Sequence, residues 1–179
     1  MGKIHAGATL TPHFREFLPA WVARQPWYAG EAPLRPAGFF RFEDPAGEVG
    51  VETHLLQGNG TTYQVPLTYR PAPLIGGALV TTAEHSVLGT RWIYDAVTDP
   101  VWVAAVLDLV AGNGTSEPSG RSLDAQARGE LRGVVTPESA IELDRVVRPQ
   151  PVPQDAAGVL TCSWTDGSGR LAVVRGPQT

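Results

Sequence analysis

Apolar positions recur along this chain with two different periods. Phe14, Phe17, Leu18, Trp21 and Val22 fall on one helical face, which is the 3.6-residue spacing of a helix packed on one side. Thr11-Pro12 reads as its start, a hydroxyl cap followed by proline at the first helical position. Pro19 intrudes, because its ring donates no N–H and clashes with the preceding turn, so a kink or two short helices are expected. Gln25-Pro26 ends the element. Beyond it the period falls to two. Gly38 to Asp44 is aromatic-rich, and Asp44-Pro-Ala-Gly47 reads as a turn. Val49, Val51, Thr53 and Leu55 share one strand face, and Tyr63, Val65, Leu67 and Tyr69 share a face of the next run. Gly58-Asn59-Gly60 between them signals a tight hairpin, since Asn and Gly accept positive φ. Pro66 assigns the second run to an edge or a bulge.

Leu79 to Thr82 and Ser86 to Tyr94 are further strands, joined by a polar turn at Ala83-Glu84-His85. Asp99-Pro100 opens a second helix that runs to about Ala111 and stops at Gly112-Asn113-Gly114. It is apolar almost all round, so its cover is the sheet and first helix or, in part, a second subunit. Thr115 to Gly120 is a Ser/Pro/Gly linker. Leu123 to Leu131 then alternates, as do Ile141 and Leu143 before Val146-Val147. After the Pro-rich loop Pro149 to Gly158, Val159–Thr165 and Arg170–Arg175 form a hairpin about Asp166-Gly-Ser-Gly169. The pattern predicts an α+β fold with an antiparallel β-sheet packed on helices. Residues 1–115 are the α+β domain and 116–179 a small C-terminal β appendage packed on it, with one continuous domain as the alternative.

Charge and cysteine usage narrow the function classes. The formal net charge of −4 argues against duplex nucleic acid as a partner. The single cysteine, Cys162, excludes an intrachain disulfide and fits a reducing compartment. Val101 to Ala111 is about half the length a membrane span needs, and Asp108 interrupts it. Met1-Gly-Lys-Ile-His-Ala carries no signal-peptide core. A cytoplasmic protein is expected.

Lys3 is the only lysine. Phosphoryl transfer in a kinase lobe needs a lysine on the phosphates, an Asp two residues after a His, and an Asp-Phe-Gly metal ligand. None of His5, His13, His54 and His85 has an Asp at that offset, and no Asp precedes Phe. Glu52 with His54, and Glu84 with His85, lack metal-ligand spacing and read as a solvated strand face and a polar turn. Asp95 and Asp99 could pose as paired carboxylates, but Asp99 is better read as a helix cap and Asp95 as a strand-end residue. Cys162 alternates with Leu160 and Trp164 and reads as a buried strand residue. Trp21 and Trp102 read as core. No catalytic, metal-binding or cofactor-binding residue emerges. The candidate binding surface is Trp27, Tyr28, Glu84, His85, Arg91 and Trp92, where aromatics and a cation stand near element ends.

Longer segments carry a family resemblance: Ala8-Thr-Leu-Thr-Pro12, Trp27-Tyr-Ala-Gly30, Asp44-Pro-Ala-Gly-Glu-Val-Gly-Val-Glu-Thr-His54, Tyr63-Gln-Val-Pro-Leu-Thr-Tyr-Arg70 and Glu84 to Pro100. Over about its first two thirds the chain resembles the N-terminal cap of actinobacterial maltokinases, and most of all stand-alone proteins that share this cap. The resemblance implies a cystatin-like layer, which in the full enzymes precedes a two-lobed body that phosphorylates maltose for α-glucan synthesis. This sequence stops where those lobes would begin. The resemblance therefore implies a fold and a pathway neighbourhood, without kinase activity. The expected role is a non-catalytic interaction or regulatory module whose partners are proteins of α-glucan (glycogen, trehalose) metabolism. The alternatives are a small-molecule or glucan-binding protein using exposed aromatics, and a homodimer formed through an apolar helix face or edge strands.

Overall fold

A computed structural model describes residues 7–30, 33–112, 114–118 and 123–177. Lys3, His5, Asn113 and the end of the linker at Ser119-Gly120 lie outside the described residues. The elements are β1 (Leu10–Thr11), α1 (Phe14–Val22), β2 (Arg35–Phe42), β3 (Gly50–Gly58), β4 (Thr61–Arg70), β5 (Ala78–His85) and β6 (Gly89–Asp95). A single 3-10 turn (Ala96–Thr98) comes next, then α2 (Pro100–Ala111), β7 (Glu117–Pro118), β8 (Ala125–Leu131), β9 (Ala140–Arg148), β10 (Ala156–Trp164) and β11 (Gly167–Arg175). Every pairing between these strands is antiparallel.

The hairpin of β3 and β4 forms as its sequence predicts. Asn59 and Gly60 take φ of 49° and 75°, and the ladder runs unbroken from Gly58↔Thr61 to Gly50↔Tyr69. The other edge of β4 is divided. Thr62 and Tyr63 pair with β9, while Leu67 to Arg70 pair with β6. Pro66 therefore belongs to a central strand, not to an edge or bulge. It falls in the interval between the two partner strands, where no ladder needs its missing N–H. From β4 one wing runs through β6 and β5 to β1, and the other through β9, β11 and β10 to β8. The sheet thus crosses the boundary expected near residue 115. A segment after α2 ties the far strand back to β2: Glu117 and Pro118 pair with β2, Thr115 bridges Arg128, and the Ser116 N–H donates to the Ala127 carbonyl.

Each face of β3 and β4 carries a helix. On one, α1 buries Leu18, Trp21 and Val22 against Leu56, Val65, Leu67 and Ile93. On the other, α2 buries Trp102, Val106, Leu107 and Val110 with Phe40, Leu55, Leu160 and Leu171. Each fully buried aliphatic side chain of this kind contributes about 1.5–3 kcal/mol. The second core draws on β2 and β3 and on the wing β8 to β11, so the sheet of its own chain covers α2, while α1, expected to share in that cover, packs in the other core.

Several boundaries differ from expectation. α1 starts at Phe14 with His13 as cap: the Arg15 N–H donates to His13 Nδ1, and the His13 N–H donates to Glu16 Oε1, a reciprocal arrangement like a capping box. Thr11 is committed to pairing with β5 instead. The helix passes through Pro19 as one element. Glu84 and His85 end strand β5, and the turn is Ser86–Leu88. Gly167, Ser168 and Gly169 likewise belong to β11, so the last hairpin turns on Thr165 and Asp166 alone.

Close approach of α2 to the sheet requires glycine at two strand positions. A Cβ on Gly129 would stand 2.5 Å from the Leu109 carbonyl oxygen and 2.7 Å from Val110 Cα, and one on Gly158 would stand 2.2 Å from Val110 Cγ1. Backbone atoms cannot step aside without moving the helix. Gly129→Ala should therefore cost about 1–3 kcal/mol by overpacking, read as a lower urea midpoint. Gly50→Ala, whose Cβ would make an ordinary 3.4 Å contact with Tyr69, should stay within about 0.5 kcal/mol. Equal effects would refute the close-packing account.

Candidate functional site

The six residues singled out from the sequence occupy two regions at opposite ends of β4. Glu84, His85 and Arg91 come together in the β5–β6 hairpin, where Ala83 pairs with Arg91, Glu84 with Thr90 and His85 with Gly89. Glu84 accepts from the Thr90 hydroxyl at 2.6 Å, and His85 Nδ1 accepts from the Val87 and Leu88 N–H groups. Arg91 is buried at 9% exposure and donates to the Leu88 carbonyl, so it braces the hairpin instead of offering a cation to solvent. Trp92 is half-buried and, one residue on, faces the other side of the strand. Trp27 and Tyr28 come after α1 and pack on Tyr63, with ring centroids 6.2 and 5.2 Å away.

A group the sequence did not single out joins the second region. Arg145 of β9 spans the interval left on β4. It donates to Asp95 at the end of β6, and its guanidinium carbon lies 4.8 Å from the centre of the Trp27 ring. Asp95 Oδ1 and Arg145 Nη1 are buried and make no hydrogen bond. Burial pushes the Asp95 carboxyl up and outweighs the pull of Arg145 in the other direction. Beside this pair lies a groove of about 420 Å³ lined by Val97, Trp102, Val103, Ser139, Ile141, Leu143 and Arg145. Nothing in the sequence signals the meeting, because one arginine in an alternating strand does not say which element it will face. Gln64 crosses the same interval, its amide donating to the Asp144 and Leu171 carbonyls, each at 2.6 Å.

Other chemistry-bearing groups are held by internal contacts. Asp99 is wholly buried and caps α2 through the Val101 N–H. Its carboxylate also accepts from Arg70 Nε and Nη2 and from the Thr68 hydroxyl, at 2.6 to 2.7 Å. Burial alone would raise its pKa, but the bonds from Arg70, Thr68 and Val101 prevail and hold it below the usual carboxylate range. Asp95 and Asp99 are thus separate ion pairs, not a matched acid and base. His54 is buried at 2% exposure between Phe14 and Phe39, so its face is not solvated as expected; Nε2 lies 3.3 Å from the Tyr69 hydroxyl and 3.5 Å from Glu52. Cys162 is buried in β10, and desolvation pushes its thiol up to about 12. Among the described residues no three His, Cys, Asp or Glu side chains cluster as metal ligands, and no helix is long and apolar enough to cross a membrane.

The two helices, the five strands between them and the capped start of α2 set the frame for comparison with known proteins. Residues 21–99 match the maltokinase N-terminal cap domain. The match bears out the resemblance over that stretch. It takes in the end of α1 and all of β2 to β6, and ends at Asp99, where the carboxylate hands the chain to α2. No curated protein matches the chain. The Trp27–Arg145 contact joins the maltokinase-cap stretch to β9, which lies beyond it.

Two groups can be tested directly. The stability Asp99 contributes is present above its unfolded pKa, about 3.9, and is lost as pH falls through its depressed folded value. Thermal melts of wild type and Asp99→Asn should differ by a constant gap from neutral pH down to about pH 5, and the gap should shrink progressively below that, as the pH falls toward the depressed folded value. Cys162 should resist iodoacetamide in the native protein at neutral pH and react fully in urea, because only the thiolate attacks and burial suppresses it. Rapid native labelling would contradict the buried placement.

Proposed function

We propose that the chain is a non-catalytic interaction or regulatory module related to maltose and α-glucan metabolism, with its sheet curled about α2 in a cystatin-like cap. The family match over residues 21–99 carries this reading. The tied state of the ionisable groups supports it: Asp99 is held by Arg70 and Thr68, Asp95 by Arg145, and Cys162 lies in the core. A cytoplasmic site of action and partners among α-glucan enzymes go with it.

One observation favours a second reading, a small-molecule or glucan-binding protein. Trp27 with the arginine over its ring stands beside a pair of polar atoms without partners, and aromatic rings with directed polar groups are what pyranose recognition uses. Thermal shift with maltose, maltose 1-phosphate, short maltodextrins and Mg-ATP separates the two. A ligand at 100 times its dissociation constant adds about 2.7 kcal/mol. The interaction module should show no shift with any of them and should bind at least one purified α-glucan enzyme in a titration. A sugar shift that disappears in Trp27→Ala would replace it with the second reading, and turnover of any substrate would end the non-catalytic assignment.

A further inference from the structure

The outer edge of β5 is open over a defined window. β1 pairs with β5 only at Glu84 and His85; past Thr11 the chain leaves the ladder at Pro12 and His13 and enters α1, whose core takes in Val80 and Ala83 on one face of β5 and leaves its edge unpaired. At the other end the chain turns sharply, with the Gly77 N–H donating to the Leu74 carbonyl. Between these stops, residues 78–83 read Ala-Leu-Val-Thr-Thr-Ala, with no charge, no proline and no glycine. Among the described residues no strand covers this edge. Proteins protect such edges with charges, proline, bulges or a covering segment. Here the protection is one bulge between Leu79 and Thr81 and the two residues of β1.

The apolar surface gathers in the same place. Of the six large exposed hydrophobic residues among those described, Ile75, Leu79, Val87 and Leu88 lie on β5 or in the turns at its two ends, Ile75 being fully exposed. The far strand of the other wing differs. The edge of β8 is covered by residues 114–116 through the Gly129, Ser116 and Ala127 N–H groups.

We propose that β5 is a dimerisation edge, and that its occupant is β5 of a second copy of this chain, paired antiparallel about a two-fold axis. The window selects the register. Because β1 and the Leu74–Gly77 turn bound it at either end, only residues 78–83 can meet, and the full-length antiparallel pairing sets Leu79 opposite Thr82 of the second copy. Leu79 and Thr82 share a face, since they pair with Tyr94 and Trp92, two positions apart on β6. No like charges meet within the window. The pairing is isologous, so it uses both edges at once and closes at two copies instead of growing into a fibre. Six residues a side is well below the roughly 20–30 of a standard interface, so this dimer dissociates on dilution. Self-association is independent of the pathway reading and of any sugar.

Sedimentation over a dilution series tests it, with thermal melts to verify that each variant is folded. Wild type should move from twice its 19.1 kDa chain mass toward the monomer as it is diluted. Both substituted positions are exposed, so the fold should tolerate charge there. Leu79→Lys with Thr82→Lys sets like charges opposite each other twice and should raise the dissociation constant about tenfold or more. Leu79→Lys with Thr82→Glu sets opposite charges in the same register and should recover most of that loss. Wild type that stays monomeric at high micromolar concentration overturns the proposal. So does a dimer that both folded variants leave unchanged, since it would use another surface, or a Lys/Glu variant no tighter than the Lys/Lys variant.

Discussion

The carboxylate of Asp99 fixes where helix α2 begins and which strand it stands on. One side chain caps the first turn through Val101 and accepts from Arg70 and Thr68 of β4, with no exposure to solvent. A buried carboxylate is costly unless its lone pairs are matched and its charge is met. Here both conditions hold, so the start of α2 is tied to β4. The placing of Trp102, Val106 and Val110 against strands from both ends of the chain depends on that start. Glycines at 129 and 158 then let the helix approach β8 and β10 more closely than a side chain would permit.

Strand β4 is the second constraint. Its one edge is continuous with β3, while its other edge serves β9 and β6 in turn, with Pro66 in the interval. A proline there costs no ladder bond, and the interval it leaves is crossed by side chains. Gln64 reaches two carbonyls, and Arg145 reaches Asp95. The division explains why a polar pair with unused hydrogen-bonding atoms sits largely buried beside the groove. Two wings of one sheet diverge there, and side-chain chemistry replaces backbone pairing. The Trp27 ring over Arg145 closes the region on the side of α1.

The maltokinase-cap match covers the end of α1 and strands β2 to β6, and the residues beyond Asp99 complete that stretch's core. Phe40 and Leu55 from the matched part are buried with Leu160 and Leu171 from beyond it. The cap stretch and the C-terminal strands therefore share one hydrophobic core. That shared core leaves open the edge of β5 and the groove beside Arg145.

The sequence by itself determined the local events. Period-two alternation with Asn59-Gly60 dictated the β3–β4 hairpin, and Asp99-Pro100 with Gly112 bounded α2, because turn and cap chemistry act over three or four residues. It also marked Cys162, Trp21 and Trp102 as interior, since apolar spacing within one element reports which face is buried. Tertiary structure alone decided the rest. It placed Pro66 between two partner strands, moved the α1 cap from Thr11 to His13 by pairing Thr11 with β5, and buried His54 and Arg91. It also brought Arg145 to Asp95 and Trp27 from elements far apart in the chain. These outcomes depend on which strands become neighbours, and no short-range pattern encodes that choice.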